Sequence, residues 1–389
     1  MNRFFMIFIN TIRGFANPAY NFLIAIFGIK SFGKEDWASV ISILLWVFFI
    51  VFSIGWGNRE YLIRAYAKQP GKINYLFYSN FLSRSILLPM GLLLLLFFPL
   101  NVAIWGVTLV VCIHTFNSLD SLIVYHQKFE AQFIADTIAF CVVIGGIFYS
   151  NNFDLIFFLK LYSFSFLLKV ITLLITLKLW KEKIIFRISI SAFKNGFPFF
   201  ILGFAGWLTS KIDLYIVDYY LPKSNLSEYQ LLITAFVMLQ AVAGFVMVPF
   251  TKHIYRLTPE VINKIKHKLY ISALPIVIMG SIGIWIIMEQ FIFLNFSLKY
   301  YILGGFVALP AFFYTINIME LIKNGQEKRI LTINIVALST SLILAILLIK
   351  KHQLLGVLFS VCISQWIVFV LYKLNSMKHS TKSFISFFH

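Results

Sequence analysis

The sequence predicts an all-α polytopic membrane protein with about twelve transmembrane helices in two six-helix lobes around a central cavity. Three observations lead to this fold class. Hydrophobic residues make up 60% of the 389 residues and charged residues only 12%, about half the charged share of a soluble domain. Apolar runs long enough to cross a bilayer recur along the whole chain. Basic residues concentrate in every second loop between these runs.

The apolar runs define the predicted spans in chain order. At roughly 20 residues per crossing, twelve spans use about 240 residues, close to the hydrophobic 60% of the chain. The predicted spans are 8–29, 37–56, 78–98, 102–125, 131–149, 153–179, 197–219, 229–250, 269–288, 300–322, 330–349 and 354–374.

The basic residues predict the orientation in the membrane. The 33 Lys and Arg outnumber the 15 Asp and Glu, but they fall in short clusters between apolar runs, which excludes a nucleic-acid-binding stripe. Two thirds of them lie on loops of one side, and the positive-inside rule makes that side cytoplasmic, together with both termini. The charged connection at 181–196 divides the chain into an N-lobe at 1–180 and a C-lobe at 197–389.

Polar residues inside the spans are the functional candidates, because they are costly in hydrocarbon. In the first span, Asn10, Arg13, Asn17 and Asn21 recur every three or four residues and share one helix face. We expect this face to line a cavity, although Arg13 alone could also snorkel to the headgroups. In the sixth span, Lys169 lies too deep for easy snorkelling.

The seventh span carries Lys211 and Asp213, which point to opposite sides of a helix and cannot neutralise each other there. We expect Asp213 to pair with a basic residue of the other lobe, with Arg13 as the first candidate. Three further acidic residues lie near predicted cytoplasmic ends, where interfacial solvation is the expectation: Asp120, Asp136 and Glu320.

The balance of these deep residues predicts a cationic cavity. Arg and Lys supply charge-assisted donors, so a net positive, low-dielectric cavity favours an anion such as a phosphate. Asp213 is the candidate for ion coupling or lobe pairing. The predicted substrate-binding residues are Arg13, Asn17, Asn21, Lys169 and Lys211.

Other kinds of site leave no pattern in the sequence. Cys112, Cys141 and Cys362 lie in apolar runs without paired spacing, which indicates packing residues and neither disulfides nor a metal site. No nucleophile set, phosphate-binding glycine loop or ligand cluster appears. We therefore expect no catalytic residue, no metal and no cofactor.

Four stretches give the sequence a family resemblance. They are FGKEDW at 32–37, SIGWGNR at 53–59, GFPFF at 196–200, and KIDLYI at 211–216 leading to LSEY at 226–229. With these stretches the chain resembles a Wzx-type O-antigen or polysaccharide flippase of the multidrug/oligosaccharidyl-lipid/polysaccharide exporter superfamily.

The resemblance implies a protein of the bacterial cytoplasmic membrane that works in lipopolysaccharide or polysaccharide biosynthesis. It implies alternating access of two lobes and translocation of an undecaprenyl-pyrophosphate-linked oligosaccharide to the outer leaflet. It further implies proton or sodium coupling. The implied partners are the lipid-linked substrate, the bilayer and other polysaccharide assembly proteins, with no nucleic acid.

Two alternatives stay open at this point. A membrane glycosyltransferase or O-antigen polymerase could use Glu35 and Asp36, but no predicted outside loop is long enough to hold an acceptor. A drug exporter of the same superfamily would need deep carboxylates in excess of deep bases, and the predicted excess runs the other way.

Overall fold

The computed structural model describes residues 3–150, 154–179, 188–251 and 259–385. Within these ranges the chain is helical and contains no β-strand, which confirms the predicted all-α class. The first half contains seven α-helices: α1 Arg3–Phe32, α2 Lys34–Gly55, α3 Asn58–Lys68, α4 Ile73–Ser85, α5 Leu100–His126, α6 Phe129–Tyr149 and α7 Leu155–Leu177.

The second half contains longer and more interrupted helices. They are α8 Ile190–Thr209, α9 Ile212–Tyr220, α10 Lys223–Thr251, α11 Pro259–Ile286, α12 Leu298–Lys323 and α13 Glu327–Ile385. Helix α13 is interrupted at Gln353, whose φ of 48° and ψ of −133° are not helical. Two predicted spans, 330–349 and 354–374, lie on either side of this residue.

In the first half of the chain, several helices end at residues with a positive φ angle. Gly33, with φ of 86°, separates α1 from α2, and glycine adopts this conformation without a steric penalty. Trp56 closes α2 with φ of 46° and Gly57 follows with φ of 66°. The chain therefore turns sharply between a membrane helix and the short, polar α3.

Two predicted spans are less regular than the sequence suggests. In the span at 78–98, α4 ends at Ser85 and a 3-10 segment, Leu88–Leu96, follows with Pro89 in its first turn. The span at 197–219 consists of α8 and α9, which are bent by 46°. Near this bend the hydroxyls of Thr209 and Ser210 donate to the carbonyls of Ala205 and Trp207, and such side-chain bonds often accompany bent helices.

Among the described residues, nine helices are long and apolar enough to cross a membrane, or ten when the bent pair counts as one span. The 49-residue stretch Glu327–Asn375 counts once among them, although Gln353 interrupts it. The exact number of twelve stays a prediction.

The chain divides into two compact units, Leu23–Phe204 and the combination of Met1–Phe22 with Ala205–His389. In the first unit, α5 packs against α2, α3 and α7, and α7 packs against α6. In the second unit, α12 packs against α10, α11 and α13, and α9 packs against α13. The lobe boundaries at 180 and 197 stay a prediction, and residues 180–187 of the linker lie outside the described residues.

Adjacent glycines in α6 test how tightly α6 packs on α7. A methyl group added at Gly146 would lie 2.2 Å from Leu161 Cδ2, whereas one added at Gly145 meets nothing within 4 Å. We expect Gly146→Ala to lower the free energy of unfolding by about 1–3 kcal/mol through overpacking. Gly145→Ala is the matched control and should be neutral or slightly stabilising. Thermal unfolding in detergent measures both, and equal midpoints would contradict the packing.

Candidate functional site

A buried ion pair joins α6 and α7 in the first unit. Lys169 Nζ lies 2.8 Å from Asp136 Oδ1, and the two side chains are only 10% and 7% exposed. Lys169 also lies over the rings of Phe116, at 5.2 Å, and Phe166, at 4.6 Å. Both a carboxylate and aromatic faces therefore compensate the loss of hydration of this cation.

The surroundings of these two residues differ in part from those predicted from the sequence. Asp136, expected to be solvated at the interface, is buried at 6% exposure, so that expectation is wrong. Lys169 is deep, as expected, but in this conformation its contact is an internal carboxylate. Hydropathy does not reveal the pairing, because α6 and α7 must pack before the two charges can meet. Two opposite charges on consecutive spans are the signal that could have indicated it.

Arg84, near the end of α4, is a second buried cation, and it lies inside the predicted span at 78–98. It is fully buried. Its Nε donates to Asn80 Oδ1 at 2.7 Å and its Nη1 to the carbonyl of Trp56 at 3.1 Å. The guanidinium lies 5.5 Å from the centre of the Phe193 ring. Since Trp56 ends α2, Arg84 places a positive charge at the negative end of that helix.

The Trp56 turn also packs closely against the first half of α8. The ring of Trp56 stacks on Phe200 at 4.2 Å with an interplanar angle of 8°, and its Nε1 donates to the carbonyl of Phe193 at 3.2 Å. A methyl group added at Gly57 would lie 2.7 Å from the carbonyl oxygen of Gly196. Two glycines thus allow the backbones to approach, in stretches that carry the family resemblance.

In the second unit, Asp213 lies at the start of α9 and is 3% exposed. Tyr229, on α10, donates its hydroxyl to Oδ2 at 2.9 Å, and the amide of Leu214 donates to Oδ1 at 2.9 Å. Both carboxylate oxygens therefore accept a hydrogen bond within this unit. The side chain of Arg13 lies outside the described residues, so its pairing with Asp213 stays a prediction.

Lys211 lies in the connection between α8 and α9, just before the first helical residue of α9, and is half-buried. On the α8 side of this bend, Thr209 also contacts the carbonyl of Asn334, at 3.3 Å. A discontinuous membrane helix is a frequent location of substrate sites in transporters, since its ends present backbone dipoles and side chains inside the membrane. The hydropathy pattern does not indicate this bend between α8 and α9.

Asn17 and Asn21 lie on the same exposed face of α1. The side-chain amide of Asn21 donates to Asn17 Oδ1 at 3.4 Å, as the four-residue spacing predicts. The side chains of Asn10 and Arg13 lie outside the described residues. That the stripe binds a substrate stays a prediction.

Solved membrane proteins share the fold of this chain. A structure of the lipid II flippase MurJ in an inward closed conformation is similar, with a TM-score of 0.75 at 15% identity, over 95% of this chain and 87% of that chain. A MATE structure in the bent conformation has a TM-score of 0.63 at 13% identity, over 99% and 97%. A eukaryotic MATE transporter has 0.61 at 16% identity, over 97% and 96%. No family model and no curated protein matches the sequence.

At these identities the likeness shows the fold. The chain has the helical fold of the lipid II flippase and MATE structures along nearly its whole length. Its apolar helices and this fold make it a multi-pass membrane protein.

The ion pair of α6 and α7 predicts a non-additive mutant cycle. Lys169→Leu or Asp136→Leu alone leaves a buried charge without its partner and should cost about 3–5 kcal/mol. The double variant should recover most of that loss. Unfolding midpoints in detergent measure the cycle, with Lys160→Leu, an exposed cation of the same helix, as the control. Additive losses in the double variant would show that the two charges are independent.

The hydroxyl of Tyr229 predicts a second stability difference. Tyr229→Phe removes a donor from the buried Asp213 carboxyl and should cost about 1–3 kcal/mol. Tyr219→Phe is the matched control, because Tyr219 is 82% exposed. Unfolding in detergent compares the two, and an equal effect would refute a stabilising role of the Tyr229 bond.

Proposed function

We propose that this protein is a flippase. It translocates an undecaprenyl-pyrophosphate-linked oligosaccharide from the cytoplasmic to the outer leaflet by alternating access through a cationic cavity. The protein lies in the bacterial cytoplasmic membrane with both termini cytoplasmic and needs no cofactor. Its partners are the lipid-linked substrate, the bilayer and other polysaccharide assembly proteins.

The observation that carries the proposal is the presence of basic side chains inside membrane helices. Arg84 and Lys169 are buried, and Lys211 is half-buried at the bend of the seventh predicted span. Cations at such depth are costly and are retained mainly where they serve a pathway. A pyrophosphate headgroup offers oxygen acceptors to Arg and Lys, while its lipid tail can stay in the bilayer.

The fold supports the transport part of the proposal. One similar structure is named a lipid II flippase and covers nearly the whole chain. Two lobes that open alternately would expose a polar path to one side and then to the other without opening a continuous pore. The predicted path residues Arg13, Asn17, Asn21, Lys169 and Lys211 would meet the headgroup along it.

Ion coupling belongs to the same proposal and rests on Asp213. Its carboxylate is buried in a short helix after a bend and accepts hydrogen bonds from one tyrosine hydroxyl and one backbone amide. A proton or a sodium ion could neutralise this group in one conformation, and Arg13 could do so in another. Exchange between these partners would link ion movement to the conformational change.

A drug exporter is the second candidate. The MATE structures cover nearly the whole chain, and the buried carboxylates of Asp136 and Asp213 are the groups that a cationic drug would need. The two candidates differ in the sign of the charge that binds substrate. Neutralising basic residues should impair a flippase and spare a drug exporter. Neutralising Asp136 should impair a drug exporter, whereas neutralising Asp213 would impair both, because Asp213 is also the coupling group of the proposed flippase.

Charge-neutral variants test the flippase. Arg13→Gln and Lys211→Gln should each slow export of the lipid-linked oligosaccharide about tenfold or more, because a hydrogen bond to a charged group contributes about 1.5–3 kcal/mol and 1.4 kcal/mol is a factor of ten. Leaflet-selective labelling of the lipid-linked sugar in cells measures export. Lys160→Gln, an exposed cation, is the control.

Two results would contradict this function. One is normal export in the two variants at normal protein levels. The other is a deletion strain in which lipid-linked oligosaccharide does not accumulate on the cytoplasmic leaflet. Loss of drug resistance in Asp136→Asn at normal protein levels, with unchanged sugar export, would favour the drug exporter.

A further inference from the structure

Arg84 is an unusual buried cation, because its contacts with the described residues are with neutral groups. They are the side chain of Asn80, the carbonyl of Trp56 and the ring of Phe193. In the part of the chain that the structure describes, no carboxylate forms an ion pair with it. Its Nη2 is buried and has no hydrogen-bond partner there. A guanidinium buried in this way keeps unused capacity for an anion.

The unpartnered nitrogen faces the first half of α8. A methyl group built at Gly196 would lie 3.0 Å from Nη2 and 2.8 Å from the carbonyl oxygen of Trp56. Gly196 therefore covers the nitrogen closely, and only a residue without a side chain fits in this position. The ring of Phe193, one turn earlier in α8, has its centre 5.5 Å from the carbon of the same guanidinium.

The covering contacts are of a kind that can be exchanged. A carbonyl oxygen and an aromatic face stabilise a guanidinium less than a doubly charged oxyanion does, and the planar donors of Arg match two phosphate oxygens at once. Separation of the first half of α8 from α2 and α4 would uncover Nη2, while Nη1 keeps its bond to the carbonyl of Trp56, which ends α2. Nη2 then offers its two N–H donors to a phosphate.

We propose that Arg84 is a masked phosphate-binding residue, which the Phe193–Gly196 segment of α8 covers in this conformation and uncovers when it moves away. The ligand is the phosphate or pyrophosphate group of an anionic substrate. This inference rests on the proposed function for the identity of its substrate, and it adds a residue and a covering segment that the cavity residues named above do not include.

Glycine variants test the cover. Gly196→Ala adds the methyl group that collides with Trp56 and Arg84, so it should open the site and tighten binding of inorganic pyrophosphate about tenfold or more. Gly145→Ala, whose methyl group meets nothing within 4 Å, should leave the affinity unchanged. Equilibrium binding of labelled pyrophosphate to the full-length protein in lipid nanodiscs measures both.

Arginine variants locate the site. Gly196→Ala combined with Arg84→Gln should lose the whole gain, and combined with Arg84→Lys it should keep only part, because Lys lacks the planar fork. An unchanged affinity in Gly196→Ala, or a gain that survives Arg84→Gln, would overturn the assignment.

A second variant guards against misfolding of Gly196→Ala. Phe193→Ala uncovers the same guanidinium by removing atoms and should tighten binding in the same direction. Phe164→Ala, at a 51% exposed position, is its control. If Phe193→Ala folds and shows no Arg84-dependent gain, the masked site is refuted.

The source of the phosphate is tested by competition, and failure of this site is separable from failure of the flippase. Nanodiscs containing phosphatidic acid should compete with pyrophosphate if the ligand is a lipid headgroup, whereas competition by free phosphate alone indicates a soluble ligand at the same site. Arg84-dependent binding with normal sugar export in the Arg13 and Lys211 variants would retain the site and count against the flippase. Impaired export in the Lys211 variant, without Arg84-dependent binding, would retain the flippase and count against the site.

Discussion

Desolvation of charge inside the membrane is the constraint on which the described packing depends. An ionised side chain in hydrocarbon must find its compensation in neighbouring protein groups. Lys169 finds it in Asp136 on the adjacent helix, and Asp213 finds it in the hydroxyl of Tyr229 and a backbone amide. The first contact joins two helices, and the second also fixes the start of α9. The need to compensate a buried charge therefore produces specific contacts.

Arg84 shows the same constraint with weaker partners. Its carbonyl acceptor ends α2 and its aromatic cover belongs to α8, so one guanidinium connects three helices of the unit Leu23–Phe204. The connection needs backbones in close approach, which Gly57 and Gly196 allow. This contact consists of a carbonyl, a ring and two glycines. Its separation would leave no carboxylate without a counterion, so it costs less than the separation of an ion pair.

For a flippase, internal compensation and substrate binding compete for the same cations. A phosphate group can replace a carbonyl or a carboxylate beside Arg84 or Lys169 only where the helices that provide those groups separate. Substrate binding and the conformational change would then be coupled by charge, with the lipid tail left in the bilayer. The bent seventh span places Lys211 and Asp213 beside a break between two helices.

The sequence by itself determined the helical class, the positions of most apolar helices and the shared face of Asn17 and Asn21, because hydropathy and helical periodicity are local properties. Tertiary structure decided the partners. Asp136 pairs with Lys169, Arg84 reaches the carbonyl of Trp56, and the span after Gly196 bends near Ser210. Each depends on atoms from segments that are remote in sequence or on the balance of hydrogen bonds at one turn. A cation in a membrane span indicates that the protein must compensate its lost hydration, but only the packing of the helices decides which group does so.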